Sequence, residues 1–160
     1  MESLHKPALD PQTVTSIDSS GYPEPYRSRV LPRNKRRLGD ALGLTKIGVN
    51  LTTLAPGKES AMRHWHTHED ELVYVLEGEV VLRSDAGEQL LPAGMCAGFV
   101  AGAPDGHQLV NRGARPAVYL EISNRDEKQD AAFYSDPDVD MVWNGPNARG
   151  RFSRRDGSAF

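Results

Sequence analysis

Hydrophobic and polar positions alternate along this chain in short runs, and turn residues separate the runs. From residue 45 to 54, Ile47, Val49 and Leu51 share one face while Lys46, Asn50 and Thr52 share the other. That is the period-two pattern of a half-buried strand. Ala55-Pro-Gly-Lys58 turns the chain into a histidine-rich segment, and Glu71-Leu-Val-Tyr-Val-Leu-Glu77 follows as a strong apolar run ending at Gly78. Residues 80–83 and 88–91 read as the two strands of a hairpin around Ser84-Asp-Ala-Gly87. After a turn at Pro92-Ala-Gly94 come three more short runs, 96–100, 107–111 and 117–123. About eight short strands are therefore expected between residues 45 and 123, with no long helical period, as in a sandwich or small barrel.

The flanks read differently. Residues 1–32 hold Pro7, Pro11, Pro23, Pro25 and Pro32, five of the eleven prolines. Proline fixes φ and removes a backbone donor, so an extended arm without a regular element of length is expected. Tyr22 and Tyr26 are its natural anchors. Leu38-Gly-Asp-Ala-Leu-Gly43 is too short and glycine-interrupted to be read as a helix. From Arg125 the chain turns charged and polar, and Phe133, Tyr134, Trp143, Phe152 and Phe160 are spaced like anchors of an irregular tail on the domain or on a partner. The organisation read from sequence is an N-terminal arm over 1–44, a barrel over 45–124 and a tail over 125–160.

Composition narrows the function classes. A chain of 160 residues suits one domain with a real core. Its 38% hydrophobic and 26% charged residues are those of an ordinary globular protein. A net charge of −3 argues against nucleic acid or an anionic membrane as the main partner. No apolar run approaches a membrane span, and Met1-Glu-Ser-Leu-His-Lys-Pro7 lacks the apolar centre of a leader, so a cytoplasmic location is expected. The single cysteine, Cys96, reads as a small buried apolar residue. Arg27, Arg29, Arg33, Lys35, Arg36 and Arg37 form a basic run. Salt bridges to the protein's own acidic surface are the simpler reading, and contact with a phosphate or carboxylate is the functional one.

The chemistry concentrates at residues 64–71. His64, His66 and His68, three of the five histidines, stand at alternate positions and can point to one face of a strand. Imidazole is the commonest ligand for transition metals, and Glu71 can add an oxygen. His107, in the glycine- and proline-rich stretch 102–107, offers a further ligand from a separate strand. Imidazoles together with a carboxylate suit a divalent ion: zinc, iron, manganese, nickel or cobalt.

These two stretches resemble the cupin superfamily. Its first motif reads glycine, five residues, His-x-His, three or four residues, glutamate, six residues, glycine. Here Gly57, His64-x-His66, Glu71 and Gly78 match, with one extra residue before His64. The second motif reads glycine, five residues, Pro-x-Gly, two residues, histidine, three residues, asparagine. Gly94, Gly102, His107 and Asn111 match it, but Val100 replaces the proline and two extra residues precede His107. Arg63-His-Trp-His-Thr-His-Glu-Asp-Glu71 with Tyr74-Val-Leu-Glu-Gly78 is similar to a bacterial group of small single-cupin proteins often labelled sugar-phosphate-isomerase-like. The resemblance implies an all-β double-stranded β-helix, the cupin or jelly-roll barrel, with His64, His66, Glu71 and His107 as metal ligands and a homodimer as the assembly. His68 could replace His66 in a shifted register or line the pocket mouth.

Three functions follow as alternatives. The first is a metal-dependent isomerase or epimerase of a small oxygenated metabolite, such as a sugar or sugar phosphate. The others are a mononuclear iron dioxygenase and a metabolite-binding protein without turnover. An isomerase needs a base near the transferable proton. The candidates are His68, Glu69, Tyr74, Tyr119 and Glu121, the last two sharing a strand face. Asn111 reads as a residue that shapes a strand end.

Overall fold

The computed structural model describes residues 6–126, 129–143 and 152–160. Most of the leader reading at residues 1–7, residues 127–128 of the charged segment and residues 144–151 of the tail lie outside the described residues.

Eight strands occupy the stretch where about eight were expected: β2 (Ile47–Leu54), β3 (His64–His66), β4 (Glu71–Glu77), β5 (Glu79–Ser84), β6 (Gly87–Pro92), β7 (Cys96–Phe99), β8 (Gln108–Val110) and β9 (Ala117–Asn124). One more, β1 (Arg33–Arg37), precedes them, so part of the N-terminal arm is a strand. β1, β2, β9, β4 and β7 form a five-stranded antiparallel sheet in that order, and β6, β5 and β8 form a three-stranded one. The sheets pack face to face. Leu54, Val73, Val75, Ala117 and Tyr119 from the first meet Val80, Leu82, Leu91 and Leu109 from the second in one buried cluster. Backbone bonds between His64 and His107 tie β3 to the start of β8.

The helix α2 (Leu38–Leu42) forms where none was read; one turn suffices because Gly43, at φ 78°, closes it and its neighbour β2 supports it. Gly78 links β4 to β5 at φ 71°, and a Cβ there would lie 3.1 Å from the Pro116 carbonyl oxygen and 3.3 Å from the Ala117 Cα. Both obstacles are backbone, so this position admits only glycine without a shift of the chain.

Two expectations about facing are corrected. In β2 the inward residues are Asn50, Thr52 and Leu54, with Thr52 and Leu54 fully buried, while Ile47 on the apolar face is 43% exposed. Apolar side chains occupy both faces of this sheet, so alternation alone cannot say which face is inside. Cys96 is exposed, because it pairs with Tyr74 on the outward face of β7 and β4.

Both flanks fold back onto the domain. The helix α1 (Tyr26–Val30) gives Tyr26 and Val30 to a second core with Met62, Val139 and Met141. The tail contributes β10 (Ala132–Tyr134), paired with β3, and the ribbon β11 (Val142–Trp143) with β12 (Phe152–Ser153). Phe133 stacks on Trp65 at 4.9 Å, Phe152 packs on Tyr22 at 5.2 Å and Phe160 meets Tyr26 edge-on at 6.1 Å. The aromatic residues thus hold the arm and the tail to each other as well as to the sheets.

Candidate metal centre

The site is built where β3, β4 and β8 approach. β3 is too short to hold its own register. It is pinned on one side by His107 and on the other by β10, which places Ala132 opposite His66 and Tyr134 opposite His64. Alternation along β3 then turns both histidines to the same face. Glu71 begins β4 with its side chain inward, on the face that carries Val73 and Val75.

The four side chains converge. His64 Nε2 lies 3.1 Å from His66 Nε2, and His107 Nε2 donates to Glu71 Oε2 at 2.8 Å. His66 Nε2 is 3.7 Å from the same Glu71 oxygen. The ligand atoms of His64, His66 and Glu71 lie within 4.8 Å of one another. His107 is held flat against Phe99, ring centroids 3.6 Å apart and ring planes nearly parallel at 5°.

Hydrogen bonds on the far side of two rings fix their tautomers. His64 Nδ1 donates to the Met62 carbonyl oxygen at 2.7 Å, and His66 Nδ1 donates to Asp130 Oδ2 at 2.6 Å. Each Nδ1 that donates carries the proton, so each Nε2 presents a lone pair. Two lone pairs facing each other at 3.1 Å repel unless a proton or a metal ion bridges them, and here a carboxylate and a third imidazole converge beside them. This donor set therefore fits a metal ion. The His66–Asp130 pair is the carboxylate–histidine arrangement that orients metal-binding imidazoles. Asp130 is itself held by the backbone N–H of His68 at 2.9 Å and of Glu69 at 3.3 Å.

The electrostatics keep the donors in ligand form. Burial pushes the His64 imidazole down to about 4, against the pull of Glu71. Burial acts to raise the Glu71 carboxyl, but the His107 hydrogen bond and the neighbouring imidazoles outweigh it and hold the group at about 2. At neutral pH the cluster offers a neutral His64 and an ionised Glu71.

A cavity of about 600 Å³ opens over these side chains. Its wall also carries Arg33, Lys35, Tyr119 and Glu121 from the five-stranded sheet, Glu69 from the loop before β4, and Tyr22 and Tyr134 from the two flanks. Lys35 Nζ lies 2.6 Å from Glu121 Oε2, and Asn50 Nδ2 reaches the same oxygen at 3.5 Å. Burial raises the Tyr119 phenol well above its usual range, with the Glu121 charge adding to it. Burial also raises the Glu69 carboxyl, opposed by His66.

The remaining candidates fall elsewhere. His68 is exposed and its Nδ1 bonds the Thr67 hydroxyl at 2.8 Å, away from the four converging side chains. Tyr74 is 40% exposed on the outward face of β4. Asn111 is fully buried. It donates to the carbonyls of Leu54 at 2.8 Å and Arg115 at 2.9 Å, so it closes a strand end. Sequence reasoning missed Asp130, 64 positions beyond His66. Only the rule that a ligating imidazole needs an acceptor on its other nitrogen could have prompted a search for it.

A family model described as a cupin domain matches residues 50–123. A crystal structure of a sugar phosphate isomerase from a cupin superfamily, from Silicibacter pomeroyi, is 41% identical, with 96% of each chain covered and a TM-score of 0.84. A provisional sugar phosphate isomerase from Acidithiobacillus ferrooxidans is 36% identical over 68% of this chain and 67% of that one, with a TM-score of 0.63. A polyketide cyclase from Streptomyces resistomycificus, 17% identical over 86% and 89% of the two chains at a TM-score of 0.62, shares the fold. No curated protein matches the chain.

Proposed function

The chain belongs to the cupin superfamily, and from that premise we propose that it is a metal-dependent isomerase of a small oxygenated metabolite, a sugar or sugar phosphate. The observation that carries this reading is the pair of Nε2 lone pairs 3.1 Å apart on the wall of a metabolite-sized cavity. In this reading His64 and His66 through Nε2 and Glu71 through its carboxylate would hold one divalent ion, and His107 would join them once its Nε2 gives up the proton it shares with Glu71. Such an ion supplies Lewis-acid polarisation of a carbonyl oxygen. Two solved relatives described as sugar phosphate isomerases support the substrate class.

The chain's own residues divide the remaining work. Glu121 is an inward carboxylate held beside Lys35, and it takes and returns the proton of the substrate carbon. Tyr119, kept protonated by burial, can donate a hydrogen bond but cannot serve as the base. Phe99 and Tyr134 narrow the space beside the histidines and keep the substrate near them.

Solvent-exchange NMR tests the reading. The metal-loaded protein in D2O, given a panel of aldose and ketose phosphates, is expected to exchange the carbon-bound proton next to the carbonyl and to interconvert the pair. The metal-stripped protein is expected to do neither. Oxygen uptake by the iron form without exchange would replace the isomerase with a dioxygenase. Saturable binding without exchange or uptake would leave a binding protein.

We also propose that the protein acts in the cytoplasm as a homodimer. No helix among the described residues is long and apolar enough to cross a membrane. On the outward face of the large sheet, Val49, Ile122 and Leu72 form one cross-strand row and Leu51, Leu120 and Tyr74 the next. Leu72 and Tyr74 are each 40% exposed, an apolar block that a second copy would cover. Light scattering is expected to give twice the chain mass of 17.6 kDa, and Leu72→Glu to give the single mass. A wild-type chain of single mass at micromolar concentration overturns the dimer.

A further inference from the structure

The basic run does more than decorate the surface. Four of its six charges are paired with carboxylates: Arg27 with Glu24 at 3.0 Å, Arg29 with Glu59 at 3.0 Å, Lys35 with Glu121 at 2.6 Å and Arg37 with Asp40 at 3.7 Å. Arg36 points to the other side of β1 and bonds the Val14 carbonyl at 3.2 Å. Arg33 is different. It faces the cavity, it has no carboxylate partner among the described residues, and it donates to the Ser60 carbonyl. A guanidinium has five N–H donors, so most of its capacity is unspent.

The register shows what surrounds it. On the inward face, Lys35 of β1 lies opposite Thr52 of β2, and Thr52 opposite Tyr119 of β9. The Thr52 and Tyr119 hydroxyls are both buried without any hydrogen-bond partner. Buried hydroxyls are rarely left unmatched, and two in one row beside an unpaired guanidinium mark a place where an acceptor belongs. In the sheet order Tyr119, on β9, lies between the cationic strand β1 and the strand β4 that carries Glu71, and the Glu121 carboxylate on its own strand also acts on its hydroxyl. β1 and β4 are three strand spacings apart in the sheet order, roughly 14 Å along its curved surface. After side chains from both ends reach inward, that span fits a chain of a few carbons with a charged group at one end.

We propose that Arg33, Lys35 and the Tyr119 hydroxyl form the anion subsite of this cavity and take the phosphate of a phosphorylated substrate whose carbonyl end faces His64, His66, Glu71 and His107. The proposal deepens the isomerase reading and rests on it for the position of the carbonyl. It does not rest on it for the phosphate. Arg33 meets the phosphate oxygens with paired N–H groups, and Lys35, whose charge is paired with Glu121, adds one of its remaining N–H donors. The outward-facing Arg36 takes no part.

The test is calorimetric titration of inorganic phosphate, and then of ribose 5-phosphate and ribose, into the full chain with and without bound metal. Phosphate is expected to bind the wild type in both states, and ribose 5-phosphate to bind more tightly than ribose. Arg33→Gln is expected to weaken phosphate binding by about ten- to a hundredfold. Tyr119→Phe is expected to weaken it several-fold. Arg36→Gln removes the same charge from the other face and is expected to leave phosphate binding unchanged. Equal losses in Arg33→Gln and Arg36→Gln would reduce the effect to general charge and overturn the subsite. So would a wild type indifferent to phosphate. A protein that binds phosphate through Arg33 but never takes up metal would keep the subsite and sink the isomerase.

Discussion

Metal analysis of the purified chain is expected to find close to one divalent ion per protein, and His64→Ala and His107→Ala are each expected to bring it near zero after desalting. The two Nε2 atoms at 3.1 Å and the Glu71 oxygen 3.7 Å from His66 surround one point, and His107 closes on that point from β8 through the same glutamate oxygen. Loss of one imidazole weakens the site enough for desalting to remove the ion. His68→Ala is expected to keep the ion, because that ring is exposed and bonded to Thr67. If His68→Ala strips the metal and His66→Ala does not, the shifted register is the right one. Asp130→Asn is the more delicate variant. It leaves every donor in place but removes the carboxylate that holds the His66 Nδ1 proton, and about ten- to a hundredfold weaker metal binding is expected. Thermal unfolding of the stripped proteins separates this loss from misfolding.

The ease of reading this chain differed from element to element. The hairpin of β5 and β6 was legible because its turn sequence and its alternation agree, and Ser84 does pair with Gly87 across it. His64, His66 and Glu71 were legible as a group because strand alternation and short spacing put them on one face whatever the tertiary fold. What could not be read depended on distant partners. β1 was hidden in a basic, proline-flanked stretch, since Arg33–Arg37 has no hydrophobic period and becomes a strand only by pairing with β2. The inward face of β2 was misread because both faces of its sheet are apolar. Asp130 and Tyr134 belong to a tail that looks irregular in sequence, yet β10 delivers one behind His66 and the other beside His64 at a ring distance of 6.1 Å. The fold class followed from local pattern and the motif resemblance, whereas the support of the site came from long-range pairing that no local pattern encodes.

Glu121→Gln is expected to lower proton exchange and turnover by about 10²–10⁴-fold while metal content stays at the parent level. The substitution is nearly isosteric. Gln can keep the contact with Asn50 and accept from Lys35, but it has no basic oxygen to take a proton. Other groups are poorly placed to replace it. His68 is exposed and Tyr74 faces outward, so neither meets a substrate in the cavity. Tyr119 faces the cavity, but burial holds its phenol protonated, which makes it a donor. Asp130 spends its oxygens on His66 and on the backbone of His68 and Glu69. Glu69 is the one serious rival, a half-buried carboxylate on the same cavity wall whose proton affinity burial raises. Glu69→Gln therefore belongs in the same experiment. A dead Glu121→Gln beside an active Glu69→Gln assigns the proton transfer to β9, directly below the Lys35 ion pair. The reverse outcome moves it to the loop before β4, next to the histidines, and leaves Glu121 only the task of holding Lys35 toward the substrate's anionic end.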